Sequence, residues 1–223
     1  MNPDRKSWNE KQQALRQALS HPTDLQTTVT LFLDQHAMVH SAEMSNSGLW
    51  SFEDEVWQGL NETTVRCIPR GCEHSIAWLI WHIARIEDVT MNLLVAGDPQ
   101  VLDQGPWQEQ MKILARDTGN AMSNTDLVQL SAAIELQALK AYRKAVGRRT
   151  REVIENLALA DLNQKVAPAR LQRLLEEGAV LPAASGLLDY WGGLKISGLL
   201  LMPPTRHNFL HLNEALRIKQ KHH

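Results

Sequence analysis

Apolar residues recur at helical spacing along almost the whole chain, and no stretch alternates apolar and polar residues as a half-buried strand would. That pattern restricts the fold class to all-α. Helices with one apolar face must bury it against one another, and the economical arrangement is an up-and-down-type four-helix bundle with additional short helices in its connections. With 223 residues the chain is long enough for one sizeable core, so a single domain spanning 1–223 is expected, with 145–200 as a candidate helical insertion. There is no internal repeat and no low-complexity linker.

The helices can be placed from their punctuation. A first helix is expected over TDLQTTVTLFLDQHAMVHSAEM (residues 23–44), with Thr23 as N-cap and a Ser/Asn/Gly cluster ending it. SFEDEVWQGL reads as a short helix capped by Ser51, with acids in its first turn. A long apolar helix, EHSIAWLIWHIARIEDVTMNLLVAG, stops at Gly97 and Pro99. A further long helix is expected from Asn124 to Leu157, capped by Asn124 or Thr125 and kinked at Gly147. Segments around 161–177 and 185–201 are helical, and a last helix starts after Pro203-Pro204-Thr205 with RHNFLHLNEALRIK.

Charge and composition remove several function classes. The formal net charge is −2 and the pI about 6.5, so no global attraction to nucleic acid or to an anionic membrane is indicated. The N-terminus has no apolar signal-type core, and no run reaches the roughly 18 apolar residues of a membrane span. A cytoplasmic location is expected. Cys67 and Cys72 lack CxxC spacing and read as two reduced thiols, with zinc binding by the pair as the alternative. The closing His222 and His223 resemble the end of a purification tag and are given no role.

The informative residues are histidines. His207 and His211 stand four apart on the last helix, which puts two imidazoles one turn apart on one face. Leu210, Glu214 and Ile218 continue that face, which suggests that it points inward, and Glu214 is a candidate partner for a ligand or a ligand itself. His82 sits mid-helix on the core face with Leu79, Ile86, Val89 and Leu93. Buried there it needs partners for both ring nitrogens, which a metal on one and a carbonyl or carboxylate on the other would supply; a core histidine bonded to polar neighbours is the plain alternative. His36 and His40 form a second HxxxH on the first helix. They are candidates for a fourth ligand, for proton carriers lining the pocket, or for a polar spot at the helix end. A fourth protein ligand would close a structural site, whereas three leave a position for water or substrate. His21 and His74, at helix starts, are expected to face solvent.

Weaker signals have plain readings. RKAVGRRTR (Arg143 to Arg151) concentrates five basic residues and reads as a solvated helix face, with an anion site or a nucleic-acid patch as the alternatives. Arg85, Glu87 and Asp88 read as the polar face of the long apolar helix, with pairing of Glu87 and Asp88 to basic neighbours, or support of the histidine site by them, as the alternative. Trp78, Trp81 and Trp191 read as core packing.

The runs SIAWLIWHIARIED and RHNFLHLNEA together resemble the DinB-like superfamily, the DinB/YfiT-type metalloenzymes. The resemblance implies a four-helix bundle with one metal-binding histidine in the second helix, here His82, and a pair in the last, here His207 and His211. QHAMVH is not part of the general pattern, so His36 and His40 gain nothing from it. Characterised members imply a divalent metal and a low-molecular-weight thiol such as mycothiol, bacillithiol or glutathione. The implied activity is transfer of that thiol to a small electrophile. Zinc, nickel and iron all suit three imidazoles. Two other readings stand beside this one: a non-catalytic metal-binding stress or structural protein, and a metal-dependent hydrolase with His40 or Glu214 as base. The expected partner is a small-molecule substrate, with neither nucleic acid nor membrane involved, and a homodimer remains open.

Overall fold

Thirteen residues in succession, Ile76–Asp88, form a helix in which every residue is buried, and this element organises the molecule. A helix buried all round has no solvent face to present, so other helices must surround it. The computed structural model describes residues 3–221; His222 and His223 lie outside that range. In chain order the α-helices are α1 (Pro3–Ser20), α2 (Leu25–Ala37), α3 (Ala42–Ser45), α4 (Phe52–Trp57), α5 (Glu62–Arg66) and α6 (Ile76–Asp88). They continue as α7 (Trp107–Met111), α8 (Asn124–Ala133), α9 (Leu136–Glu155), α10 (Pro168–Glu176), α11 (Gly186–Gly193), α12 (Ile196–Leu201) and α13 (Asn208–Lys221). The all-α class is therefore the observed one, and among the described residues no strand forms beyond an isolated bridge between Lys165 and Lys195. No described helix is long and apolar enough to cross a membrane.

Helix α6 packs against α9 and α13, and its length divides the core in two. Its first half joins Phe52, Leu139, Tyr142 and Leu212 in one apolar cluster. Its end and the turn that follows join Phe32, Val153, Leu174 and Leu199 in the other. Trp78, Trp81 and Trp191 are core residues, as their pattern suggested.

Several boundaries differ from expectation for local reasons. Helix α1 was not anticipated, yet Trp8, Leu15 and Leu19 bury one stripe of it. Helix α2 is capped by Asp24, whose carboxylate accepts from the Thr27 amide, in place of Thr23, and it ends at Ala37. The expected 124–157 helix breaks at Ile134 and restarts after Glu135, whose carboxylate caps α9. Ser123 rather than Asn124 or Thr125 caps α8. Gly147 leaves α9 unbroken and instead makes room for the turn that follows α2: a Cβ there would stand 2.8 Å from His40 Nδ1.

Two π-helical turns interrupt the long helices. Val89–Ala96 extends α6 until Gly97, in the left-handed region at φ +81°, ends it. Met202–His207 joins α12 to α13, so the last helix does not begin after the prolines but runs through them. Pro203 and Pro204 lack an N–H and clash with a regular α turn. The wider π turn accommodates them, and Asn208 Nδ2 donates to the Pro204 carbonyl at 3.1 Å.

The acids and arginine of α6 do not form a solvated face. Arg85, Glu87 and Asp88 are all fully buried. Arg85 Nη1 donates to Asp88 Oδ2 at 2.9 Å, and the Asp88 carboxylate accepts the amides of Val101 (2.8 Å) and Leu102 (3.0 Å), fastening the 98–104 connection to the helix. The basic run of α9 is likewise only partly solvated. Arg143 is buried against Glu53 at 2.6 Å, and Arg149 pairs with Asp98. Nothing in that run lines the histidine cavity; Arg149 instead lines a separate cavity with Lys165 and Arg170.

Candidate metal centre

Three helical turns bring His82, His207 and His211 to one point. His82 comes from the middle of α6, His207 from the end of the π turn and His211 from the first turn of α13. Ring centroids are 5.1 Å apart for His82–His207, 5.1 Å for His82–His211 and 4.5 Å for His207–His211. One ligand nitrogen from each lies within 4.8 Å of the others. Imidazoles holding one ion at about 2.0–2.1 Å require this kind of convergence.

Hydrogen bonds on the far nitrogens orient two of the rings. His82 Nδ1 donates to the Thr118 carbonyl at 2.6 Å, and the ring stacks on Trp78 with centroids 4.6 Å apart. His211 Nδ1 donates to Glu214 Oε2 at 3.1 Å. Both rings then present Nε2 as a lone pair, the tautomer a metal needs. His207 Nδ1 is buried with no hydrogen-bond partner among the described residues. Burial, followed by the neighbouring His211, drives His82 down to about 3; the Thr118 hydrogen bond only partly opposes this. Burial, then His82 and His211, holds His207 well below its usual range. These neutral imidazoles and the orphaned nitrogen fit a divalent cation, and among the described residues the group ends at three protein donors.

Glu214 does more than continue the ladder. Its other oxygen accepts from His74 Nδ1 at 2.9 Å, so one carboxylate bridges His211 and His74. Burial works to raise this carboxyl, but the hydrogen bonds from His211 and His74 outweigh it and bring it to about 2. His74, expected to face solvent, is instead stacked on Trp78 at 4.1 Å and lines the same cavity as the three histidines. A sequence signal existed: His74, Trp78 and His82 repeat every four residues. Thr118 could not be found that way, because its backbone carbonyl is what matters. Leu210, read as part of the inward face, is 48% exposed. The inward residues of α13 are Asn208, Leu212, Ala215, Leu216 and Ile218.

His36 and His40 stand in a different cluster. Their Nε2 atoms lie 2.8 and 2.9 Å from the two oxygens of Glu87. Thr150 Oγ1 donates to the first oxygen at 2.8 Å and Asn208 Nδ2 to the second at 2.7 Å. The donor atoms of His36, His40 and Glu87 are close enough together to hold an ion. However, the carboxylate already accepts four hydrogen bonds, about the full capacity of its lone pairs. The group is therefore a carboxylate cage. Burial alone would raise the Glu87 carboxyl, yet His40, His36 and their hydrogen bonds hold it well below the usual range. Burial pushes His36 down and His40 down to about 3, against the opposing pull of the Glu87 carboxylate. Neither lines the cavity at the three-histidine site.

That cavity, about 740 Å³, opens to solvent beside His82, His207 and His211. The free thiol of Cys72 lines it too, whereas Cys67 does not. A separate cavity of about 440 Å³ between the first π turn, α9 and α10 contains no histidine.

A family model described as the DinB superfamily matches residues 53–181, more than half of the chain. His82 lies inside the match, and His207 and His211 lie beyond it. A comparison with curated proteins finds no match.

Proposed function

The chain belongs to the DinB superfamily, and on that premise we propose that it is a divalent-metal-dependent enzyme in which His82, His207 and His211 hold one ion. The reaction we propose is transfer of a low-molecular-weight thiol to a small electrophile. The observation that carries this reading is the pairing of three convergent imidazoles with an open cavity of about 740 Å³ beside them. A site that leaves a coordination position facing solvent suits a reactive ion better than a structural one. Engagement of His36 and His40 by Glu87 supports the same preference, because the residues that would have closed the shell are occupied elsewhere.

Each residue has a derivable task. Thr118 fixes the His82 ring, and Glu214 fixes His211. Trp78 walls one side of His82 against solvent. When bound, the ion would supply a positive charge that favours the thiolate form of a thiol, the nucleophilic form. His74 Nδ1 is committed to Glu214, and its Nε2 has no hydrogen-bond partner among the described residues.

The test is elemental analysis of protein lacking His222 and His223, followed by turnover with a panel of thiols and electrophiles. One equivalent of zinc, nickel or iron, lost on His207→Ala or His211→Ala, is the expected result. Stoichiometric metal with no thiol binding would overturn the thiol reading. Unchanged metal content in both variants would overturn the ligand assignment.

A further inference from the structure

A groove of about 560 Å³ lies between α1 and the start of α13, and it shares no lining residue with the histidine cavity. Helix α1 supplies one wall: Trp8, Gln12 and Arg16 follow one another at four-residue spacing, with Asn9, Gln13 and Gln17 in the next row. Arg206, from the second π turn, stands on the other wall. Arg16 and Arg206 line the groove and no acid does. The remaining cations of α1 are paired, Arg5 with Glu55, Lys6 with Glu10 and Lys11 with Asp34. Arg16 and Arg206 have neither a hydrogen-bond nor an ion-pair partner among the described residues.

The buried side of the groove carries unspent polar atoms. Trp8 is 3% exposed and its indole stacks on Phe209 with centroids 3.7 Å apart, yet its Nε1 donor has no hydrogen-bond partner among the described residues. Gln12 is 7% exposed; its Nε2 donates to the Leu201 carbonyl at 3.2 Å, and its buried Oε1 is likewise unpartnered. A donor and an acceptor buried without partners are costly, and a hydroxyl group, which both accepts and donates, can satisfy the two. Two guanidinium forks without counter-ions match the two charges and the oxygens of a phosphate monoester. We propose that this groove binds a small phosphomonoester bearing hydroxyl groups, with its phosphate between Arg16 and Arg206 and its hydroxyls towards Trp8 and Gln12.

The experiment is calorimetric titration of the full chain at pH 7.5 with glycerol 3-phosphate, inorganic phosphate and glycerol. Glycerol 3-phosphate is expected to bind at one site, about ten-fold more tightly than inorganic phosphate, with glycerol alone giving no heat. Arg16→Gln and Arg206→Gln should each weaken it about ten-fold, the effect of losing one charge-assisted contact. Both side chains are exposed, so Tm should stay at the wild-type value and the loss is read on folded protein. No binding of glycerol 3-phosphate at about 10 mM overturns the proposal. Affinity unmoved in either arginine variant overturns it too, because an anion held at the metal centre would not depend on Arg16. Equal or tighter binding of inorganic phosphate overturns the hydroxylated class. Vesicles of phosphatidylcholine with phosphatidic acid present the monoester on a surface, and preferential binding to them would overturn a soluble ligand seated in the groove. None of these results bears on the metal ligands or on the thiol reading.

Discussion

Replacing Glu87 with glutamine tests whether the buried carboxylate cage holds the helices in register. In the native protein four donors converge on Glu87: His36 and Thr150 on one oxygen, His40 and Asn208 on the other. Glutamine keeps one acceptor oxygen and turns the other into an NH₂, so two donors meet a donor. If the NH₂ faces His36 and Thr150, the hydroxyl rotates to accept, and His36 accepts only by moving its proton to Nδ1. That nitrogen is buried and has no partner. If it faces His40 and Asn208, the His40 proton moves to an equally unpartnered Nδ1, which looks towards Gly147. Either way at least one buried donor is orphaned, at a cost of about 1–3 kcal/mol, and the charge-assisted bonds are lost in addition. A loss of about 2–4 kcal/mol follows, and at roughly 2–4 °C per kcal/mol for a chain of this size Tm falls by about 5–15 °C. Differential scanning calorimetry of metal-free wild type and Glu87→Gln at pH 7.5 measures it. A Tm within 1 °C of wild type would show that the carboxylate is not held as described, and the cage argument would fail. Asn208 adjoins His207 and donates to the cage, so the same variant should also bind metal more weakly, a readout that a distant stability defect would not produce.

Other consequences can be measured on the same preparations. Glu214→Gln removes the ionised partner of His211 and should weaken metal affinity about 10–100-fold without abolishing it, by competition with a chromogenic chelator; unchanged affinity would show that Glu214 does not support the ligand. Gly147→Val pushes a side chain into His40 and should cost about 1–3 kcal/mol in urea denaturation, and a neutral result would mean that His40 does not approach α9 as closely as 2.8 Å implies. His36, His40, His82 and His207 all have pKa values below the unfolded value of about 6.5, so the unfolded chain binds more protons than the native one as pH falls below that value. Stability of the metal-free protein should therefore be fully present above about pH 6.5 and decline below it, by up to about 1.4 kcal/mol per histidine per pH unit. A denaturation midpoint flat between pH 7.5 and 5.5 would contradict that. His82→Ala should lose metal binding and leave the Thr118 carbonyl without its donor, read by elemental analysis and by Tm.

Periodicity and punctuation were enough to specify a good part of this protein. The all-α class follows from apolar spacing, and the Ser51 cap and the Gly97 stop follow from local chemistry that needs no distant partner. His207 and His211 were legible from their four-residue spacing, and His82 joined them through its place on a core face and the DinB-like resemblance. What the sequence left open depends on groups far apart in the chain. Glu87, fully buried and charged, looks like any acid at the end of a helix until His36, His40, Thr150 and Asn208 arrive from other helices to satisfy it. His74 looked solvated because its partner Glu214 is 140 residues away. The prolines at 203 and 204 looked like a helix start, and only the packing of α12 and α13 around a π turn shows the chain passing through them. A pattern along the chain reports which face of a helix avoids water. Which polar group on that face meets which partner is set by tertiary contact, because the cost of burying a charge is met by neighbours that spacing alone does not identify.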